Sequence, residues 1–349
     1  MTEQVRTDEM YMRRCLQLAR LGQGHVSPNP MVGAVIVCDG RIIGEGYHRK
    51  WGEAHAEVNA VASVRDRSLL RRSTIYVSLE PCSHYGKTPP CCRLIAECGI
   101  PRVVVGCPDP FPEVSGRGIR MLREAGAEVT VGVLEQECRE LNRCFMKVQT
   151  EQRPYVVLKW AQSADGYIDR CRTAAEPPTV ISDAVTSVLV HRLRAHCDAV
   201  LVGRRTAEMD NPSLTVRRWT GNAPVRIVID RHLSLPPDLR LFTDGGRTWV
   251  FTAESRPPEG AVEYITLDFS QPVVPALLRC LHEREIQSLL VEGGACTLQH
   301  FIDAGEWDEA RIEIGKQMLK NGIPAPAVPG TEIGTERHGE SKLIRTINR

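Results

Sequence analysis

The sequence predicts an α/β protein of two domains, and three observations carry that prediction. At 349 residues the chain exceeds the usual reach of one hydrophobic core. Apolar runs of strand length alternate with helix-length segments after an opening hairpin, which implies an α/β sandwich with a mixed sheet. The alternation restarts after a polar stretch, Gln149 to Arg153, and Pro154. The boundary falls there, giving domains over 1–148 and 153–349.

In order, Met12, Leu16, Ala19 and Leu21 recur at helical spacing and predict a helix over 8–21. Met31 to Val37, the Asp39-Gly40 turn and Arg41 to Tyr47 read as a hairpin, because Asp-Gly suits the positive φ angles of a tight two-residue turn. A helix over 54–64, a strand over 74–79, a helix over 91–98, a strand over 102–106, a helix over 118–125 and a short strand over 128–133 follow. One helix, 135–147, closes the first domain. In the second, strands at 155–160, 199–202, 225–229, 248–252 and 288–291 are interleaved with helices. The tail after Pro329 shows no functional pattern.

Lys plus Arg number 44 and Asp plus Glu 43, so the chain lacks the basic field of a nucleic-acid binder. Small-molecule substrates are the expectation. No apolar run reaches membrane-spanning length, and the charged N-terminus lacks the apolar core of a secretory signal. The expected location is cytoplasmic. In that reducing compartment the 13 cysteines read as core residues or metal ligands. Self-association stays open.

His55-Ala56-Glu57, then Pro81-Cys82, then Cys91 carry the chemistry. An imidazole and two thiolates give zinc three ligands and leave a fourth tetrahedral position for water, whose pKa falls from about 16 towards about 7. Glu57, free of the metal, can take that proton and pass it to a ring nitrogen and departing ammonia. This is the division of labour of zinc deaminases, with their H-x-E and P-C-x-x-C signature. Here eight residues, not two, separate Cys82 from Cys91. Cys92 and His84 are the alternative ligands.

Two places in the second half suit a phosphate. Leu201-Val202-Gly203-Arg204-Arg205-Thr206 and Val291-Glu292-Gly293-Gly294-Ala295 each run from strand through glycine into helix, where free backbone N–H groups meet an anion. Taken alone, each reads as a plain tight turn before it reads as a phosphate seat. Neither is a G-x-G-x-x-G fingerprint, so a Rossmann domain is not supported.

Glu80 to Cys91, with Pro28-Asn29-Pro30-Met31-Val32-Gly33, Asp109-Pro110 and Gly116-Arg117-Gly118, resembles the deaminase domain of the bifunctional riboflavin-biosynthesis deaminase/reductases. The resemblance resumes at Leu158-Lys159-Trp160-Ala161, Ser163-Ala164-Asp165-Gly166 and Asp210 to Arg217, and covers nearly the whole chain. It implies a cytidine-deaminase-like three-layer α/β/α domain followed by a dihydrofolate-reductase-like α/β domain. It also implies zinc-dependent removal of the 2-amino group of 2,5-diamino-6-(5-phosphoribosylamino)pyrimidin-4-one, then reduction of the ribosyl group of 5-amino-6-(5-phosphoribosylamino)uracil by NADPH.

By the same resemblance, zinc falls to His55, Cys82 and Cys91, proton transfer to Glu57, and deaminase substrate contacts to Asn29, His48, Lys87 and Asp109. Cofactor contacts are implied for Gln162, Thr206, Asp210, Gly293 and Gly294, and reductase substrate contacts for Lys159, Arg194, Leu214, Arg217 and Glu292. Guanidinium forks at Arg194 and Arg217 suit a phosphate; whether Lys159 or Asp210 assists ribose opening stays open. One departure is Pro178-Thr179-Val180-Ile181-Ser182, where members often carry Trp-Ile-Thr or Trp-Ile-Ser. Val180 cannot stack as an indole does, which makes the segment from Arg170 to Pro178 the candidate replacement wall.

The rival readings are a deaminase of another nucleobase or of tRNA with a non-catalytic second half, and a zinc-stabilised interaction protein. Glu57 beside the metal motif argues for catalysis.

Overall fold

The structure, a computed structural model, describes residues 2–85, 89–111 and 115–348. The chain divides into two compact units, Met1–Glu151 and Gln152–Arg349.

In the first unit α1 (Glu3–Ala19) precedes the hairpin β1 (Gly33–Cys38) and β2 (Arg41–Tyr47). Then come α2 (Ala56–Ser63), β3 (Thr74–Leu79), α3 (Cys91–Glu97), β4 (Arg102–Cys107), α4 (Arg117–Glu124), β5 (Glu128–Val131), α5 (Glu135–Leu141) and α6 (Arg143–Glu151). The sheet runs β2-β1-β3-β4-β5, antiparallel around β1 and parallel from β3 to β5. Alternate strand residues face opposite layers. Ile36, Ile75, Val77 and Val103 pack with α2, α3 and α4, while Val35, Tyr76 and Val104 pack with α1, α5 and α6. This is the α/β/α sandwich that the resemblance implies.

Close approach makes the layers tight. A Cβ on Gly33 would lie 2.0 Å from the Cys15 carbonyl of α1, and one on Gly46 2.3 Å from the Ala60 nitrogen of α2. α1 begins earlier than its apolar spacing predicts because the Thr2 hydroxyl caps it, accepting from the Val5 N–H. The expected helix 135–147 is two helices broken at Asn142, and α6 runs on to Glu151, into the polar stretch where the boundary was expected.

The second unit contains β6 (Tyr155–Gln162), β7 (Tyr167–Asp169), α7 (Ala184–Ala195), β8 (Ala199–Gly203), α8 (Arg204–Asp210), β9 (Val225–Ile229), α9 (Arg240–Thr243), β10 (Thr248–Thr252) and β11 (Val262–Thr266). It ends with α10 (Val273–Glu283), β12 (Ser288–Val291), α11 (Ala295–Asp303), β13 (Glu309–Ile314), β14 (Ile323–Pro324), β15 (Thr331–His338) and β16 (Ser341–Ile347). Nine strands form one sheet, β11-β10-β9-β8-β12-β6-β13-β16-β15. The first seven in that order are mutually parallel, and β16 and β15 add an antiparallel edge. Val156, Leu158 and Trp160 of β6 join α10 and α11 in the core. The tail after Pro329 therefore completes the sheet. No helix among the described residues is long and apolar enough to cross a membrane, and no disulfide occurs among the described residues.

Candidate active sites

The first site forms at the carboxyl ends of β3 and β4. Leu79 lies opposite Cys107 in this parallel pair, so Glu80-Pro81-Cys82 and Pro108-Asp109 emerge side by side. Such strand ends are where α/β proteins collect functional side chains. His55 N-caps α2 and Cys91 is the first residue of α3. First-turn N–H groups have no partner within their helix. That of Cys91 donates to Cys82 Sγ at 3.2 Å, and that of Cys92 to the Cys82 carbonyl at 3.2 Å.

His55 Nδ1 stands 3.6 Å from Cys82 Sγ and 3.4 Å from Cys91 Sγ. All three ligand atoms lie within 4.8 Å of one another, and no other such trio of His, Cys, Asp or Glu occurs among the described residues. One imidazole nitrogen and two thiols are a zinc donor set with room for a further ligand. A hydrogen bond from the Cys91 thiol holds Cys82 well below the ordinary thiol range, while sharing that proton pushes Cys91 up. Cys92 turns away, its Sγ 3.7 Å from Met121 Sδ, and His84 is exposed outside the trio.

Glu57, in the first turn of α2, is 3 % exposed. Burial, then the nearby Cys82 sulfur, push its carboxyl up to about 7. His48 is buried with its ring centroid 5.6 Å from that of His55, edge to face. Its Nδ1 meets the Ala54 carbonyl at 3.1 Å, so that nitrogen carries the proton and Nε2 accepts from Asn29 Nδ2 at 3.1 Å. The Asn29 carbonyl oxygen makes no hydrogen bond among the described residues. Asp109 is half-buried, and its carboxyl is raised by burial, with Glu80, His84 and Cys82 close enough to perturb it. Lys87 lies outside the described residues.

Two residues here escaped the sequence reading. Asn142, at the α5–α6 break, accepts from the Met31 N–H at 2.8 Å and donates to its carbonyl at 2.9 Å, pinning the segment that carries Asn29. Glu80 accepts four backbone N–H groups from the chain after β4. No periodicity marks either; a polar residue with an unexplained buried environment becomes visible only in three dimensions.

In the second unit the two glycine turns come together because β8 and β12 are neighbours, with Leu201 opposite Val291. The Gly203 N–H donates to the Gly293 carbonyl at 3.1 Å, and a Cβ on Gly294 would lie 3.0 Å from Thr206 Oγ1. Gln162, at the end of β6, accepts from Trp160 Nε1 at 2.8 Å. Asp210 is bound by Arg172, whose nearly buried guanidinium also bonds Asp169 and the carbonyls of Glu176 and Met209. Arg172 thereby docks the segment from Arg170 to Pro178 onto the end of α8. Val180 is 80 % exposed.

Lys159, Arg194, Glu292 and the turn from Leu214 to Arg217 form a second cluster. Arg194 forks onto Glu292 and donates to the Thr215 carbonyl at 3.2 Å. Leu214 is buried at φ 51°. Arg217 is exposed, donating to Thr215 Oγ1 at 2.7 Å, while its backbone N–H bonds His191 Nδ1 at 3.0 Å. Burial pulls the Lys159 ammonium below its ordinary range against the pull of Glu292 and Glu313. Glu313 accepts from Ser182 Oγ at 2.6 Å and lies 3.9 Å from Lys159 Nζ. Lys159 and Glu313 line a cavity of about 330 Å³ between α7 and the β13, β16 and β15 edge.

The zinc donor trio with a buried carboxylate beside it marks the first unit as a metal-dependent hydrolytic enzyme, and the comparisons supply the class of both units. Residues 5–107 match the cytidine and deoxycytidylate deaminase zinc-binding region, and residues 154–319 match the RibD C-terminal domain. Riboflavin biosynthesis protein RibD of Bacillus amyloliquefaciens is 40% identical over 330 residues, 92% of this chain and 87% of that one. RibD of Aquifex aeolicus is 41% identical over 324 residues, 90% of this chain and 89% of that one. A crystal structure of the diaminohydroxyphosphoribosylaminopyrimidine deaminase/5-amino-6-(5-phosphoribosylamino)uracil reductase of Thermotoga maritima is similar with a TM-score of 0.90 at 38% identity, covering 99% of this chain and 100% of that one. Acinetobacter baumannii RibD gives a TM-score of 0.90 at 30% identity, covering 99% of each chain. The chain belongs to the RibD family, the bifunctional deaminase/reductases of riboflavin biosynthesis. His55, Cys82 and Cys91 are its zinc-binding residues, and membership implies NADPH as reductant. The rival of a non-catalytic second half gives way to the match over 154–319.

Proposed function

We propose that residues 1–148 deaminate 2,5-diamino-6-(5-phosphoribosylamino)pyrimidin-4-one and that residues 153–349 reduce the ribosyl group of 5-amino-6-(5-phosphoribosylamino)uracil with NADPH, in the reducing cytoplasm where free thiols persist. The observation that carries the first half is a buried carboxylate, Glu57, beside a trio of zinc ligands with the Asn29–His48 pair alongside.

Held by His55, Cys82 and Cys91, a zinc ion would supply a water acidified enough to attack at neutral pH. Glu57, buried in the first turn of α2 two residues after the zinc ligand His55, holds and moves the proton. Asn29, oriented by His48, presents its amide to the donor and acceptor edge of the ring. Asp109 and Lys87 complete the substrate contacts, with Lys87 a point charge for the phosphate.

In the reductase unit Thr206, Gly293 and Gly294 seat the cofactor diphosphate, supported by the convergence of their two turns. Gln162 and Asp210 flank it, with Asp210 oriented by Arg172. Arg217 holds the substrate phosphate; Leu214, Arg194 and Glu292 shape the pocket. Lys159 suits ribose opening better than Asp210, because its proton is loosened by burial whereas Asp210 is engaged by Arg172. Binding mainly has to hold the ribose against the nicotinamide.

The test is ammonia release from the diaminopyrimidine by the zinc-loaded protein, followed by NADPH oxidation that depends on the deaminated product. Ammonia release from cytidine or adenosine instead, or NADPH oxidation indifferent to that product, overturns the assignment.

A further inference from the structure

Glu80 is 5 % exposed and bonds no basic side chain among the described residues. Its Oε2 accepts the N–H groups of Asp109 at 3.1 Å and Gly116 at 3.0 Å, and its Oε1 those of Gly118 at 2.9 Å and Ile119 at 3.3 Å. Gly116 N-caps α4 in the left-handed region, at φ 75°, and has no side chain with which to cap. A carboxylate from another segment therefore satisfies first-turn donors that would otherwise be orphaned, with favourable charge at the positive end of the helix. The arrangement is tight: a Cβ on Gly118 would lie 2.2 Å from the Pro81 carbonyl. Glu80 itself is fixed to the end of β4, its N–H donating to the Cys107 carbonyl at 2.9 Å.

The same side chain thus grips the chain at Asp109 and again at Gly116, while its backbone leads two residues on to the zinc ligand Cys82. A cap alone would need only the α4 donors. The bond to the Asp109 N–H has no capping purpose, and it sets how far that residue stands from the metal segment. We propose that Glu80 is a positioning residue for deamination, fixing the substrate-contacting Asp109 against the zinc-ligand segment. This rests on the reading of Asp109 as a substrate contact.

The test uses the full-length, zinc-loaded protein with Glu80→Gln, Asp109→Asn and the double variant. A glutamine amide can accept at only one of its two ends, so it turns an NH2 group towards two backbone donors. For Glu80→Gln the expected result is a deaminase KM raised about tenfold or more, kcat within about threefold, zinc stoichiometry unchanged and reductase kinetics unchanged. The double variant should bind substrate little worse than Asp109→Asn, because one residue acts through the other. A parental KM in Glu80→Gln, multiplicative effects in the double variant, or parallel loss of zinc and kcat overturns the proposal. A parental KM in Asp109→Asn instead overturns the reading of Asp109. If Glu80→Gln does not fold, Glu80→Asp, which keeps the charge on a shorter stem, decides: a raised KM with zinc retained supports the proposal, and an unchanged KM overturns it.

Discussion

Arg194 and Glu292 face each other in a two-pronged ion pair, Nε to Oε1 and Nη2 to Oε2 each at 2.6 Å, with side chains 12% and 9% exposed. The pair ties α7 to the turn after β12, and the third nitrogen of Arg194 holds the Thr215 carbonyl. A fork spent this way leaves Arg217 as the freer cation for an incoming phosphate.

Removing the arginine strands a buried carboxylate, which in such pairs costs about 3–5 kcal/mol. Arg194→Ala should therefore lower the denaturant midpoint of the transition that abolishes NADPH binding, and adding Glu292→Leu should recover part of the loss. Equal destabilisation in the single and double variants would show that the pair is not coupled.

The same pair predicts a pH dependence. Burial alone raises a carboxyl, but Arg194 and then Lys159 outweigh it and hold Glu292 below its ordinary value of 4.5. A group depressed in the folded state contributes stability above its unfolded pKa and loses it as pH falls through the folded one. The stability gap between parent and Glu292→Gln should be full at neutral pH and close progressively below about 4.5. Thermal melts across that range check this; a gap constant with pH sinks it.

If the Glu57 carboxylate moves protons without ligating metal, as proposed, Glu57→Gln should reduce deamination by about 10²–10⁴-fold or more while keeping the parental zinc content. Cys82→Ser and Cys91→Ser should lose zinc and activity together. Cys92→Ser should keep both, its sulfur being turned to Met121. Zinc loss in Glu57→Gln, or in Cys92→Ser but not Cys91→Ser, reassigns the ligands.

Arg217→Ala should raise the reductase substrate KM about ten- to a hundredfold, the worth of a charge-assisted pair of about 1.5–3 kcal/mol, and leave NADPH affinity nearly intact. Steady-state kinetics and NADPH titration separate the two. Weakened NADPH with an unchanged substrate KM moves Arg217 to the cofactor side.

A fragment beginning at Gln152 should fold and reduce the deaminated substrate, because the nine-stranded sheet and its apolar core lie wholly within Gln152–Arg349. A folded fragment that cannot bind NADPH counts against autonomy.

Much of this was legible in the chain. Strand-length apolar runs such as 199–202 and 288–291 are buried on both faces and read directly. The zinc trio was legible because its chemistry fixes residue types. What escaped was whatever tertiary partners decide. β15 and β16 are largely polar and become strands only by pairing with β13 and each other. The break at Asn142 follows from its bonds to Met31, 111 residues away. Glu80 looked like part of a motif, whereas its work is done on backbone groups that no sequence pattern announces.

The position of β6 in its sheet has a consequence for synthesis. It is the first strand of its unit to leave the ribosome, yet its neighbours are β12 and β13, the latter beginning at Glu309. Until those arrive, a run as apolar as Tyr155-Val156-Val157-Leu158 has two bare edges, the state most exposed to mispairing with other chains. The deaminase sheet, by contrast, has all five of its strands by Val131. The nascent protein therefore passes through a stage with one finished catalyst and one unfinished sheet, and its demand for chaperones should fall on the second half alone.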